Sequence, residues 1–200
     1  MKPYAQSCER NQLPILEVLE QEFSDIHSVL EIGSGTGQHA IFFGARLPHL
    51  VWQTSDLTQA HPGILAWLQE STLDNVLPPL TIDVTHDDWG VDSVEGVFTA
   101  NTMHILSWKS ISRMFEGFGK VLAPTARVAM YGPFRFEGEF TSESNATFDR
   151  FLRSRDPLGG IRDFESLDEL AQRQNLRFCR NHSLPSNNQI LVGERNAGDE

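Results

Sequence analysis

The sequence predicts an α/β fold: a doubly wound, mostly parallel sheet with helices on both faces and an antiparallel hairpin at its carboxyl end. Three observations carry this. Short apolar runs alternate with segments of helical periodicity along most of the 200 residues, the pattern that builds a parallel sheet from β-α-β units. A bare turn holding Gly33, Gly35 and Gly37 follows the first apolar run and precedes a helical segment. The last two runs are separated by only a few residues, among them Pro185, Ser186, Asn187 and Asn188. That is too short for a parallel crossover, so these two strands should pair as a hairpin.

The elements follow in order. Leu13, Ile15, Leu16, Val18, Leu19 and Phe23 recur at helical spacing, and Pro14 suits a first turn. Residues 28–32 read as a short buried strand, and 38–47 as a helix stopped by Pro48. A second strand is expected at 50–54, a helix at 62–71, and further strands at 80–84 and 95–100. Residues 111–122 form an apolar-rich helical pattern, and 127–131 a fifth strand. The stretch 132–163 is polar, holds most of the late arginines and receives no element. Residues 166–174 read as helical, with closing strands at 177–183 and 189–193. No repeat, low-complexity tract or long linker interrupts the chain. The expectation is one domain over 1–200, with a helical segment at 1–27 and a core at 28–193.

Sixteen Lys and Arg against 27 Asp and Glu give a formal charge of -11, which argues against a broad nucleic-acid footprint. Cys8 and Cys179 lie far apart, with neither a disulfide framework nor metal-ligand spacing, so no metal is expected. There is no signal-peptide pattern, and no apolar run nears the roughly 18 residues of a membrane span. The expectation is a cytoplasmic protein with no membrane partner.

In a doubly wound sheet, ligands bind beyond the carboxyl ends of the strands, where the strand order reverses. The glycine turn sits at such a place. A dinucleotide fingerprint spaces its glycines at first, third and sixth positions, which would put the third on Gln38, not Gly37. Here the glycines alternate, with Glu31 two places before the first. A carboxylate there is a poor neighbour for pyrophosphate but suits a ligand carrying positive charge. Asp56, nineteen residues past Gly37, falls at the end of the second strand, where a carboxylate can accept both hydrogen bonds of a ribose diol.

"LEIGSGTGQH" followed by Asp56 resembles motif I and the acidic loop of class I S-adenosylmethionine-dependent methyltransferases, whose fold is a Rossmann-like seven-stranded sheet ending in a reversed hairpin. A narrower resemblance runs along nearly the whole chain. "YAQSCERNQLPILEVL", "YGPF" and "SNATFDRFLRSRDPLGGIRDFE" are similar to the methyltransferase-like protein 26 family, a domain of unknown function. The resemblance implies S-adenosylmethionine as cofactor. Gly33, Gly35 and Gly37 would surround its methionine moiety, with Glu31 near the ammonium, or else orienting the loop. Asp56 would hold the ribose, with Leu57 beside the adenine. Asp83 would accept from the adenine amino group, or else cap the turn that follows it, and Val84 would offer its amide to the ring. Asn101 would meet the methionine end. Tyr4, Ser7, Glu9, Arg10 and Asn11 would close over the cofactor, or else only cap a helix.

Methyl transfer from a sulfonium demands in-line placement more than a fixed catalytic triad. A base or orienting group should follow the fourth or fifth strand, which nominates His104 and Tyr131. Arg150, Arg153, Arg155 and Arg162 reverse the local charge and nominate an anionic small-molecule acceptor, although neighbouring carboxylates could simply pair with them. No Asn-Pro-Pro-Tyr-like motif and no Pro-Cys nucleophile occurs, which with the net charge disfavours DNA as acceptor. The expected function is transfer of a methyl group to an oxygen or nitrogen of a small acceptor. The alternatives are a non-catalytic cofactor- or partner-binding protein, and, disfavoured by the glycine spacing, a nicotinamide-dependent oxidoreductase.

Overall fold

Ser28–Ile32 form β1, and four of its five residues are buried because the strand lies in the middle of a sheet covered on both faces. The computed structural model of the chain describes residues 2–195. Around β1 the chain runs α1 (Gln6–Glu22), α2 (Gln38–Gly44), β2 (Val51–Asp56), α3 (His61–Gln69), β3 (Val76–Thr81), β4 (Val94–Ala100), α4 (Trp108–Val121) and β5 (Leu122–Gly132). It continues through β6 (Phe134–Phe136), β7 (Glu139–Phe140), α5 (Glu143–Arg155), β8 (Arg162–Asp163), α6 (Phe164–Gln172), β9 (Leu176–Leu184) and β10 (Asn188–Arg195).

Seven strands order as β3-β2-β1-β4-β5-β10-β9. β10 runs antiparallel to both β5 and β9, and the remaining pairs are parallel. The order reverses between β1 and β4, which creates the crevice where a ligand would enter. One face of the sheet packs Ile15, Leu19, Phe43, Trp52 and Phe98 against α1 and α2. The other packs Leu30, Val97, Met130 and Leu191 against α4 and α6. This is the mostly parallel sheet with a terminal hairpin that the alternating pattern predicts.

Four elements differ from expectation. First, α1 begins at Gln6, so Pro14 lies inside the helix rather than in its first turn. Second, β3 covers Val76–Thr81 instead of 80–84 and contains Pro78 and Pro79. It is tolerated because β3 is an edge strand. The register slips there, and side chains of β2 fill in: Thr54 Oγ1 donates to Leu77 O at 2.8 Å and Gln53 Nε2 to Pro78 O at 2.7 Å. Third, β5 starts five residues before the expected Arg127. Fourth, the stretch 132–163 is structured. It holds α5 and a small sheet ordered β7-β6-β8. The side chains α5 buries are Asn145 and Asp149, both polar, so apolar periodicity could not reveal it.

The end of α1 is tied to the hairpin by a buried carboxylate. Glu22 accepts from Arg180 Nε at 2.9 Å and lies 2.7 Å from His182 Nε2. Across the sheet, Gly117 of α4 is where Trp89 lies against the helix: a Cβ there would meet the indole at 2.1 Å. Alanine in place of glycine gains about 1 kcal/mol of helix propensity, whereas overpacking a filled core costs about 1–3 kcal/mol. Because the indole is itself buried, the second effect should win. Gly117→Ala is expected to lower Tm by several degrees, measured by thermal denaturation. An unchanged or raised Tm would show that Trp89 can move aside.

Candidate active site

β1 and β2 are parallel neighbours with Ile32 opposite Ser55, so their carboxyl ends bring the glycine turn and Asp56 together. Gly33 and Ser34 donate their amides to Ser55 O at 3.1 and 2.9 Å. Gly35 N donates to Asp56 Oδ2 at 2.8 Å, and Leu57 N to Asp56 Oδ1 at 2.7 Å. Each carboxylate oxygen thus takes one backbone donor and keeps further lone pairs for a ligand hydroxyl. Two glycines are required by geometry. Gly37 has φ +85° and a Cβ would meet the backbone of Ile64 at 3.0 Å; Gly33 has φ +75° and a Cβ would meet Thr102 Oγ1 at 2.9 Å. Gly35, also left-handed, faces open space, which leaves its backbone approachable.

Glu31 is buried beneath this turn, 2% exposed. Its Oε2 accepts from Ser34 Oγ at 2.7 Å and Trp52 Nε1 at 3.2 Å. Its carboxylate is therefore engaged in holding the loop to β2. Burial pushes its pKa up to about 7, only partly offset by those two donors, and the Asp56 charge adds to the rise. Asp83 Oδ1 accepts from Thr85 Oγ1 at 2.7 Å and Thr85 N at 2.9 Å, which lowers its pKa and caps the turn after β3. Val84 is buried, and Leu57 is exposed at the tip of β2.

Asn101, just past β4, has φ +60° and takes Tyr131 O as acceptor for its amide at 2.8 Å. Asparagine tolerates this left-handed conformation better than most residues. Beside it opens a cavity of about 430 Å³. Ser7, Arg10, Asn11 and Pro14 of α1 form one wall. Tyr131 near the end of β5 and Pro133 just after it form another, Asn145 and Phe148 come from α5, and the turn from Leu184 to Asn188 completes it. Burial holds the Tyr131 phenol above its usual pKa, so it stays protonated at neutral pH. Asn11 Oδ1 lies 2.8 Å from Nε2 of buried His39, whose pKa burial pushes down to about 4.

The other nominated residues are not gathered in this cavity. His104 is 6% exposed and packs edge-on against Phe148 at 5.3 Å. Burial and the Arg162 charge push its pKa down to about 4, so it is neutral at pH 7. The four arginines are dispersed. Arg162 is buried, and its guanidinium donates to the carbonyls of Met103, Leu106 and Leu158. Arg153 Nε pairs with Asp149 Oδ2 at 2.8 Å. Arg150 donates to Thr147 Oγ1 at 2.8 Å, and Arg155 lies 5.5 Å from the Phe151 ring. The cation that does line the cavity is Arg10. Sequence reasoning passed over Ser34, inside the glycine turn itself, and Trp52 and Asn188, which reach the site only through long-range packing.

The segment before α1 is fastened to the helices that follow the glycine turn. Ala5 and Gln38 exchange backbone and side-chain hydrogen bonds, and Trp67 Nε1 donates to Pro3 O at 2.8 Å. Lys2 pairs with Glu70 and lies 3.7 Å over the Trp67 ring. Lys2 and Pro3 also border an open depression of about 720 Å³ that reaches Gly35 and Thr36.

Residues 2–195 match the family model described as "Protein of unknown function (DUF938)", and the chain belongs to that family. Among solved structures it is similar to an O-methyltransferase family protein from Burkholderia thailandensis, with TM-score 0.83 and 14% identity over 97% of this chain and 59% of that one. It is also similar to CalO1, a methyltransferase in calicheamicin biosynthesis in its SAH-bound form (TM-score 0.75, 16% identity, 92% and 53% coverage). A third is PigF with SAH (TM-score 0.78, 15% identity, 95% and 64% coverage). The likeness is one of fold, and the chain spans about 53–64% of the length of these three proteins. The architecture is the class I methyltransferase fold. Among the described residues, no helix is long and apolar enough to cross a membrane.

The carboxyl group of Glu31 yields a sign-defined test. Its folded pKa of about 7 exceeds the ordinary value of 4.5, so between those values the folded state holds more protons than the unfolded one. Stability from this residue is therefore lost as pH rises through that window. Glu31→Gln keeps an acceptor for Ser34 and Trp52 and removes the titration. Chemical denaturation at pH 5 and pH 7.5 should show the variant gaining roughly 2 kcal/mol on the wild type over that interval. A constant difference between the two proteins would mean that Glu31 is ionised throughout.

Proposed function

We propose that the protein binds S-adenosylmethionine at the β1–β2 tips and transfers its methyl group to an oxygen or nitrogen of a small acceptor held in the cavity beside Asn101. The observation that carries this is the junction of Gly35 and Asp56. A carboxylate with unused lone pairs is anchored on an open, side-chain-free loop, as a ribose diol and an aminoacyl tail require. The fold likeness to SAH-bound methyltransferases supports the same cofactor, as do the motifs similar to the methyltransferase-like protein 26 family.

The residues present fit that cofactor. Asp56 would hold the ribose and Leu57 would cover the adenine. Asp83 and Val84 would face the ring, and Gly33, Gly35 and Gly37 would line the aminoacyl end with Asn101. Glu31 would act beneath the loop, fixing its shape and placing partial negative charge under a cationic ligand. When bound, S-adenosylmethionine supplies an electrophilic methyl group on a sulfonium. The chain's own task is then placement and exclusion of water. Tyr131, protonated and lining the cavity, would donate a hydrogen bond that orients the acceptor. His104, neutral behind Phe148, is the remaining candidate for taking up a proton. The acceptor is neither DNA nor a membrane component, and the protein acts in the cytoplasm.

At a hundredfold excess over Kd, S-adenosylmethionine should stabilise the protein by about 2.7 kcal/mol, visible as a raised Tm, whereas NAD should leave Tm unchanged. Asp56→Ala should weaken S-adenosylmethionine binding by at least about tenfold in calorimetry. Full affinity in that variant would remove the proposed ribose contact. With methyl-labelled cofactor and an identified acceptor, Tyr131→Phe is expected to lower kcat/KM by about tenfold, and His104→Gln by less. Wild-type turnover in both would leave placement alone as the source of catalysis.

A further inference from the structure

The cavity beside Asn101 has a charge pattern at odds with the rest of the molecule. The chain carries a formal charge of -11, yet no Asp or Glu lines this space, and Arg10 is the one cation that does. Among the described residues Arg10 forms no ion pair. In so acidic a protein an exposed arginine without a carboxylate partner leaves its guanidinium fork available to a ligand. One fork matches one carboxylate bidentately. A second cation, as a phosphate dianion would favour, is missing from the lining.

The remaining surfaces are flat or neutral. Phe148, Pro133 and the Tyr131 phenol supply apolar faces, and Asn101 and Asn145 supply amides. Phe148 is held from behind by buried His104. Asn145 is held by Thr141 Oγ1 and Asn187 O, both at 2.9 Å. The walls are thus preorganised by contacts that do not involve the ligand. Three left-handed non-glycine residues, Asn101, Ser186 and Asn187, cluster at this rim. Such strain persists where the surrounding structure over-determines it.

We propose that this cavity takes a small planar monoanion, an aromatic carboxylate, with its carboxylate on Arg10, its ring against Phe148 and its methyl-accepting heteroatom toward Asn101. This deepens the methyltransferase reading and rests on it for the role of acceptor, but the binding preference stands by itself. It moves acceptor recognition from the arginines of residues 150–162, which are paired or dispersed, to the N-terminal helix.

The test uses the full chain and two probes of equal shape, 4-hydroxybenzoate and 4-hydroxybenzamide, by ligand-observed NMR titration with and without S-adenosylhomocysteine. The acid is expected to bind about tenfold tighter than the amide. Arg10→Gln should erase that preference and Arg10→Glu should invert it, with Tm unchanged because Arg10 is exposed. Equal affinity of the two probes, a preference that survives Arg10→Glu, or no binding of either at millimolar concentration overturns the proposal. Failure of the methyltransferase reading is seen separately, as an absence of S-adenosylhomocysteine binding whatever the ratio of the two probes.

Discussion

The clasp formed by Glu31 is the interaction on which the site depends. A carboxylate removed from water is costly unless its lone pairs are used, and here they are used twice, by Ser34 and by Trp52. Ser34 Oγ also accepts from Ser55 N at 3.1 Å, and Ser55 Oγ donates to Glu31 O at 2.6 Å. The glycine turn is thereby sewn to the second strand by side chains, while Gly35 and Asp56 complete the seam at the surface. A loop of three left-handed glycines would otherwise have many conformations open to it. The buried cluster selects one, and its energetic cost appears as the raised pKa of Glu31.

Most of the sheet was legible because its signals are local. β1, β4 and the closing hairpin read directly from apolar runs and turn residues. Asp56 was found because it must end a strand that neighbours the glycine turn, a constraint of topology alone. Where local signals competed, tertiary context decided. Pro78 and Pro79 push a strand reading away from 76–81, yet an edge position tolerates them and β2 side chains donate to the β3 carbonyls where the register slips. Pro14 reads as a helix start, yet packing of Ile15, Leu16 and Leu19 against the sheet carries α1 straight through it.

The arginines show the same limit in the site. Charge reversal in residues 150–162 is real, but a sequence cannot say which cations are already satisfied. Arg162 is buried among carbonyls that join the loop after β4 to the loop after α5, so it serves as a strut. Arg153 is engaged by Asp149, whose other oxygen accepts from Ile161 N at 2.7 Å. These contacts fix α5 and, through it, the position of Phe148 and Asn145. The cations chosen for chemistry therefore build the wall of the cavity, while a less conspicuous arginine faces into it.

That cavity is assembled from the two ends of the described chain. α1 supplies Arg10 and Asn11, the last hairpin supplies the turn before Asn188, and the sheet supplies Asn101 and Tyr131 between them. Glu22 joins α1 to β9 through Arg180 and His182, and Asn11 joins it to His39. Any loosening of α1 would accordingly open this cavity while leaving the Glu31 clasp, which joins β1, the glycine turn and β2, in place. The proposed cofactor contacts and the proposed acceptor contacts thus rest on separate supports. The first are fixed by neighbouring strands, and the second in part by the clasp of Glu22 on Arg180 and His182, 158 and 160 residues away in sequence. In the proposed reading, the adenosyl side therefore keeps its shape independently of α1, α5 and the hairpin turn that wall the cavity.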